Sequence, residues 1–233
     1  MKSLVLLSGG IDSTTCMYHL VHLNHDVRAL SFFDRHKTGN FTELECAKQH
    51  SSFLRVPHTV LDVTNLHPLY DNNPRTLWAV GGQLGGCCKL DHEYAKFSVT
   101  TMLVLGMMFA ANNGLSEVYW SLHQDDLTLL NSSDIMNLKK YIENISSLEA
   151  GVGAPRLVLP FLELTKKDVV LLSKEYDINL DQTFSCSNWP ENKVHCGYCP
   201  QCQLREKAID TLDSMSSDGS VYPEIGCVDE SRL

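Results

Sequence analysis

The chain has 233 residues, the length of one large α/β domain, and its 43% apolar content is enough to form a substantial core. Its 19 basic and 28 acidic residues give a formal net charge of −9, which disfavours binding to a nucleic-acid backbone. The first apolar run, residues 4–7, is too short for a secretory signal, so we expect a cytoplasmic protein with no membrane partner and with reduced cysteines.

Short apolar runs alternate with helical patterns along most of the chain. The predicted strands are residues 4–7, 27–33, 59–61, 118–120 and 157–159. The first predicted helix begins near residue 13, and the next three cover residues 44–54, 91–112 and 134–145. A last helix is expected after Thr165, which would act as its N-cap with Asp168 bonding back to the Thr165 amide. This βαβ rhythm predicts a doubly wound parallel sheet in a domain of residues 1–180, followed by a small cysteine-rich extension at 181–233.

A glycine-rich segment separates the first predicted strand from the first helix. It reads Ser8, Gly9, Gly10, Ile11, Asp12, Ser13 and Thr14. Glycines allow a sharp turn, and the amides at a helix N-terminus attract anions such as phosphate. The segment lacks the lysine of a kinase-type P-loop and the G-x-G-x-x-G of a dinucleotide fold. Asp12 beside a phosphate is consistent with a role in holding Mg²⁺, and a plain glycine turn capped by Ser13 is the alternative.

Four cysteines near the C-terminus have the spacing of a metal site. They are Cys186, Cys196, Cys199 and Cys202. Four thiolates suit one tetrahedral Zn²⁺ with a structural role, and an iron–sulfur cluster or free thiols are the alternatives. Cys87 and Cys88 lie in a predicted glycine-rich loop at residues 72–91. They are either ordinary loop residues or a source of a thiol nucleophile.

Three polar residues follow the predicted strand at 118–120. They are His123, Asp125 and Asp126. Ligands of open α/β sheets bind beyond the carboxyl ends of the strands, so these side chains are candidates for substrate or metal contact, with a solvated loop as the alternative.

The glycine-rich heptad resembles the PP-loop of the ATP pyrophosphatases. Together with the C-terminal cysteine pattern, and with similarities at Phe32, Arg35 and His36 and at residues 160–167, it makes the whole chain similar to the 7-cyano-7-deazaguanine synthase family, often called QueC.

This resemblance implies an ATP-dependent carbon–nitrogen ligase. Such an enzyme adenylates the carboxylate of 7-carboxy-7-deazaguanine, lets ammonia form the amide, and uses a second ATP to make the nitrile. Six residues of the heptad would hold the triphosphate and Mg²⁺, namely Ser8, Gly9, Gly10, Asp12, Ser13 and Thr14, and of these Asp12 and Ser13 would be catalytic. Phe32 would contact the nucleotide, Arg35 and His36 would act near it or near the carboxylate, and the four cysteines would bind zinc.

Two segments depart from the family pattern. A Pro-Gly-Arg-Asn turn is replaced at residues 90–96, and a Tyr-Ser-Gly-Tyr-Pro-Asp-Cys-Arg segment is replaced at 124–134. The resemblance therefore implies adenylation more firmly than nitrile formation. One alternative acceptor is the N-terminus of a partner protein, as in antiviral operons that attach a deazaguanine to a protein. A non-catalytic nucleotide-binding protein is a second alternative. Sulfur transfer to tRNA is a third, which the net charge of −9 and the closed cysteine set disfavour. We also consider a homodimer.

Overall fold

A computed structural model describes residues 1–35, 40–66, 98–128, 132–186 and 194–217. The strands are β1 (Lys2–Leu6), β2 (Asp26–Phe33), β3 (His58–Asp62), β4 (Glu117–Tyr119) and β5 (Arg156–Val158). The helices are α1 (Ile11–His22), α2 (Asn40–Phe53), α3 (Ser98–Asn112), α4 (Ser132–Ala150), α5 (Lys166–Glu175) and α6 (Pro200–Ser217), with short 3₁₀ turns at Thr64–Leu66, Gln124–Thr128 and Leu180–Gln182.

The five strands form one parallel sheet in the order β3-β2-β1-β4-β5. Val5 pairs with Ala29 of β2 on one side and with Tyr119 of β4 on the other, so β1 is the central strand. The chain crosses from one edge of the sheet back to its middle between β3 and β4, which opens a crevice at the carboxyl ends of β1 and β4. The predicted doubly wound parallel fold is confirmed.

Each face of the sheet is covered by its own apolar core. Neighbouring residues of a strand point to opposite faces, and Val5 and Leu4 accordingly belong to different clusters. Val5 packs with residues of α1 and α5, such as Met17 and Val170, whereas Leu4 packs with Leu103 of α3 and Ile142 of α4. The central strands β1 and β4 are buried on both faces, which explains the apolar runs predicted there, whereas most of the edge strand β3 is exposed.

Most predicted elements lie within a few residues of the observed ones. Thr165 is the N-cap of α5, its side chain accepts a hydrogen bond from the Asp168 amide, and Asp168 bonds back to the Thr165 amide, so the predicted capping box is confirmed. Only the part of the helix predicted at 91–112 that begins at Ser98 lies among the described residues. Cys87 and Cys88 lie outside them.

The C-terminal extension packs against the α/β core. Ala208 of α6 belongs to the same apolar cluster as Val5 and Val170, and Arg205 donates hydrogen bonds to Thr183 Oγ1 (2.7 Å) and to the Leu180 carbonyl. The domain boundary at residue 180 stays a prediction. Among the helices that the structure describes, none is both long and apolar enough to span a bilayer.

Candidate active site

The glycine-rich segment connects β1 to α1 at the carboxyl edge of the sheet. Ser13 Oγ accepts a hydrogen bond from the Ser8 amide (3.1 Å) and lies 2.9 Å from Ser8 Oγ, which in turn accepts from the Gly10 amide (3.2 Å). Gly10 is the N-cap of α1 and has an extended backbone conformation. Among the described residues, no side chain caps this end of the helix by a hydrogen bond. The loop is therefore closed on itself by two serine hydroxyls, and the start of α1 is left open to an anion.

Gly9 occupies a position that only glycine can fill. Its φ of +92° lies in the region that L side chains rarely adopt, and a Cβ there would lie 2.0 Å from the carbonyl oxygen of Glu43. This close contact joins the loop to α2. The Gly9 carbonyl also accepts a hydrogen bond from the Phe184 amide (3.0 Å), so the C-terminal extension fixes the loop from the other side.

Asp12 forms a two-pronged ion pair with Lys166, the first residue of α5. The Lys166 ammonium lies 2.7 and 2.6 Å from the two carboxylate oxygens, and the lysine side chain is 3% exposed. From the sequence, an acid beside a phosphate pointed to Mg²⁺ as its neutralising partner, whereas the structure provides an ammonium group for that purpose. Sequence reasoning missed the pairing of Lys166 with Asp12, because the two residues are 154 positions apart and no local pattern connects them.

His123 lies between three carboxylates and is 1% exposed. Its Nε2 is 3.7 Å from Asp12 and 3.4 Å from Asp126, and its Nδ1 is 3.8 Å from Asp125. Asp126 also accepts a hydrogen bond from the His123 amide, and Asp125 accepts one from the Lys166 amide (2.6 Å). The structure thus brings the three residues predicted after β4 together with Asp12 of the glycine-rich loop.

The charges of this cluster perturb the two acids in opposite directions. Burial by itself would raise the pKa of Asp12, but Lys166 and His123 outweigh it and hold that pKa below its ordinary value. Burial raises the pKa of Asp126, and the nearby Asp12 carboxylate adds to this effect against the opposing influence of His123. Asp12 is therefore an anion at neutral pH, while Asp126 holds a proton more readily.

A cavity of about 340 Å³ opens beside this cluster. Its polar end is formed by Ser8, Gly10, Asp12, Ser13 and Asp126. The opposite wall is apolar and consists of Leu30, Phe32, Val63, Val99, Met102, Leu103 and Trp120. A volume of this size with a charged end and an apolar wall is typical of a small-ligand site.

The remaining predicted site residues lie in different places. Phe32 lines the cavity wall. Thr14 is fully buried behind the loop, and its hydroxyl bonds to none of the residues that the structure describes. Arg35 lies outside the cavity lining, with its side chain 65% exposed and 3.6 Å from Asp62. His36 lies outside the described residues.

The four C-terminal cysteines form a compact cluster. The Sγ atoms of Cys186, Cys196, Cys199 and Cys202 all lie within 4.8 Å of one another, and those of Cys196 and Cys202 are 3.9 Å apart. A tetrahedral ion with metal–sulfur bonds of about 2.3 Å places its ligands about 3.8 Å apart. The cluster could therefore hold one metal ion.

Backbone amides support this cluster in the manner of a metal-binding turn. The Cys199 amide donates to Cys196 Sγ (3.3 Å) and the Cys202 amide donates to Cys199 Sγ (3.4 Å). Such hydrogen bonds stabilise thiolate charge and orient the sulfurs. Cys46 of α2 packs against the cluster, which ties it to the α/β core.

Comparison with known proteins gives the family. The model of a family described as queuosine biosynthesis protein QueC matches residues 2–213. The chain belongs to the QueC family. The resemblance inferred from the glycine-rich heptad and the cysteine pattern is confirmed.

Two relatives of this QueC-family chain are 7-cyano-7-deazaguanine synthases. The protein from Leptospira interrogans is 29% identical over 216 residues, covering 89% of this chain and 86% of the relative. The protein from Archaeoglobus fulgidus is 26% identical over 241 aligned positions, covering 100% of this chain and 97% of the relative. Both alignments extend over nearly the full length of each protein.

The QueC-family chain is also similar in fold to a solved structure. The U34-tRNA thiolase NcsA from Methanococcus maripaludis, with its [4Fe-4S] cluster, has a TM-score of 0.52 at 14% identity, covering 93% of this chain and 67% of that one. At this identity the likeness concerns the fold.

Proposed function

We propose that this protein is an ATP-dependent ligase that adenylates the carboxylate of 7-carboxy-7-deazaguanine and condenses the adenylate with an amine. Family membership and the two synthases named above support a role in 7-cyano-7-deazaguanine synthesis. The observation that carries the proposal is the cavity in which the open N-terminus of α1, the Asp12 carboxylate and an apolar wall meet.

In the first step a carboxylate oxygen attacks the α-phosphorus of ATP. The bond between the α-phosphorus and the bridging oxygen breaks, and pyrophosphate leaves with that electron pair. The hydroxyls of Ser8 and Ser13 and the open N-terminus of α1 would bind the phosphates, and the Lys166 ammonium would offset the charge of the Asp12 carboxylate beside them. The acyl adenylate retains the carboxylate oxygen on the phosphorus.

In the second step an amine nitrogen attacks the acyl carbon. AMP leaves with the former carboxylate oxygen, the nitrogen loses a proton, and an amide remains. The nitrile would require the amide oxygen of the ammonia-derived amide to attack the α-phosphorus of a second ATP with release of pyrophosphate, followed by loss of AMP and of both nitrogen protons. His123 is buried, does not line the cavity and contacts both Asp12 and Asp126, so it would act as a positioning residue for these two carboxylates.

Two cations fit the donor atoms present. Asp12 and Asp126 supply the hard oxygen ligands that Mg²⁺ prefers and would hold it at the polar end, where it would offset the charge of the departing pyrophosphate. The four cysteines would hold Zn²⁺, whose closed set of four sulfurs suits a structural role.

The apolar wall offers a surface for flat rings. Phe32 and Trp120 both line it, and aromatic side chains bind purine-like rings by stacking. We assign the nucleotide base to the Phe32 side, where the predicted contact lies, and the deazaguanine to the Trp120 side, next to Asp126. Arg35 faces solvent, so we propose no contact for it before substrate is bound.

An oxygen-labelling experiment tests the first step. The protein is incubated with ATP, Mg²⁺, ammonium and 7-carboxy-7-deazaguanine labelled with ¹⁸O in the carboxylate, and the nucleotides and products are weighed. Adenylation transfers one label to AMP. Formation of ADP, or of AMP without label, refutes the proposed chemistry.

Two lysines that are neighbours in sequence supply a matched control. Lys166→Ala removes the ammonium that pairs with the cavity residue Asp12, whereas Lys167→Ala removes the neighbouring lysine of the same helix. Neither lysine lines the cavity, so Lys166 would act through Asp12. We expect Lys166→Ala to lower AMP formation at least about 100-fold and Lys167→Ala to leave it nearly unchanged. Equal loss in both variants would contradict the role given to Lys166.

The acceptor is tested in the same assay. Product formed with a peptide amine but not with ammonia would identify the protein-acceptor alternative. Nucleotide binding without any turnover would identify the non-catalytic alternative.

A further inference from the structure

The segment that carries the cysteine cluster reaches the phosphate loop at Phe184 and Ser185. Ser185 precedes the cluster cysteine Cys186 and lines the same cavity as Ser8 and Asp12. A Cβ placed on Gly10 would lie 3.6 Å from Ser185 Oγ and 3.4 Å from the Phe184 carbonyl oxygen, so the Ser185 hydroxyl lies directly beside the loop that caps α1.

The Ser185 hydroxyl is buried without using its hydrogen-bonding capacity. Its Oγ is inaccessible to solvent and has no hydrogen-bond partner among the parts of the chain that the structure describes. Buried hydroxyls are nearly always satisfied, because an unpaired one costs free energy of about 1 to 3 kcal/mol. A hydroxyl held in this condition at the wall of a ligand cavity has a ligand as its natural partner.

The backbone around Ser185 is fixed from three directions. The Phe184 amide donates to the Gly9 carbonyl (3.0 Å), the Ser185 amide donates to His195 Nε2 (3.2 Å), and Cys186 belongs to the four-cysteine cluster. The Phe184 ring also stacks on His195, with ring centroids 4.9 Å apart. The hydroxyl is thus held by the cysteine cluster on one side and by the phosphate loop on the other.

We propose that Ser185 is a phosphate-binding residue of the ATP site, positioned by the metal-binding segment. This inference rests on the proposed function, since it assigns the anion at the loop to the phosphates of ATP. Ser185 would donate its O–H to a phosphate oxygen next to the Gly10 amide, in addition to the donors of the loop itself. The cysteine cluster then has a role in nucleotide binding as well as in holding the chain together.

Binding of a stable ATP analogue separates this role from a structural one. The dissociation constant of α,β-methylene-ATP with Mg²⁺ is measured by calorimetry for the wild-type protein, Ser185→Ala, Ser185→Thr and Ser146→Ala. Ser146 is the control because its hydroxyl is also buried but lies 3.5 Å from the Pro155 carbonyl, away from the cavity. Metal content and the midpoint of thermal unfolding are measured on every variant.

We expect Ser185→Ala to weaken analogue binding about tenfold or more, as loss of a hydrogen bond to a charged group does. Ser185→Thr, which keeps the hydroxyl, should bind within about threefold of wild type, and Ser146→Ala should bind like wild type. The metal content of Ser185→Ala should equal that of the wild-type protein.

Three outcomes overturn the inference. Unchanged binding in Ser185→Ala means that the hydroxyl makes no contact with the phosphate. Weakened binding accompanied by loss of metal means that the residue acts through the cysteine cluster and not on the phosphate. Failure of the wild-type protein to bind the analogue refutes the proposed function, and the inference with it, whereas the first two outcomes leave the proposed function standing.

Discussion

The ion pair between Asp12 and Lys166 makes a quantitative prediction about stability. The sequence alone predicts that Asp12 binds a cation and that replacing Asp12 leaves the fold intact. The structure leads to a different expectation. Lys166 Nζ lies 2.7 and 2.6 Å from the two Asp12 oxygens, and the side chains are 3% and 24% exposed, so Asp12→Asn leaves a buried ammonium without its counter-charge.

The magnitude follows from what each partner loses. Removing one partner of a fully buried pair costs about 3 to 5 kcal/mol, because the other charge stays buried and uncompensated. Asp12 is partly exposed, which admits solvent screening, so we expect Asp12→Asn to lower the free energy of unfolding by about 2 to 3 kcal/mol. Lys166→Met should cost less, since the more exposed Asp12 can be hydrated in its place.

Urea unfolding of a double-mutant cycle is the assay. The wild-type protein, Asp12→Asn, Lys166→Met and the double variant are unfolded at pH 7, where the lowered pKa of Asp12 keeps it ionised. The double variant should be more stable than Asp12→Asn alone, since no unpaired charge remains. An Asp12→Asn variant as stable as wild type, or strictly additive effects, would show that the two groups are not coupled and that the described pairing does not hold in solution.

Three further predictions concern the metal, acid stability and the product. The Cys199→Ser variant should lose the bound metal, and its melting temperature should be lower by about 10 °C, because a closed metal site adds its binding free energy to folding. Elemental analysis that finds no zinc in the wild-type protein would contradict this prediction. Burial, with the charges of His22 and His25, lowers the pKa of His19 from 6.5 to about 4. The unfolded chain therefore binds this proton at a higher pH than the folded protein does. As the pH falls from about 6.5 to about 4, this difference should lower the free energy of unfolding by up to about 3 kcal/mol. Urea unfolding at each pH should show a smaller decrease for His19→Gln over the same range. Because the family motifs are replaced at residues 90–96 and 124–134, we expect the amide to accumulate before any nitrile when the protein is given ATP, 7-carboxy-7-deazaguanine and ammonia. Rapid nitrile formation with two AMP per product, seen by mass spectrometry, would refute that expectation.

Features encoded by neighbouring residues were predictable. The glycine-rich heptad, the four-cysteine pattern and the capping box at Thr165 and Asp168 each lie within a short stretch, so spacing alone carries the signal. The apolar runs likewise identify strands buried on both faces, and alternating runs and helices predict a parallel sheet. The placement of His123, Asp125 and Asp126 at the end of β4 follows from the same topology rule.

Contacts between distant segments were not predictable. Lys166 lies 154 residues from Asp12 along the chain, and nothing in the local sequence of either residue specifies the other. The same holds for Ser185, whose nearness to Gly10 depends on how the C-terminal extension packs on the loop. Arg35 and Phe32 are three residues apart, yet one faces solvent and the other lines the cavity.

By itself, then, the sequence determines the strand and helix order, the glycine-rich turn and the set of cysteines, since these depend on local periodicity and spacing. Only the tertiary structure decides which charge neutralises Asp12, which hydroxyls reach the cavity and which predicted residues stay outside it. The physical reason is that burial and pairing energies depend on three-dimensional proximity, which packing of the two apolar cores establishes and local sequence does not encode.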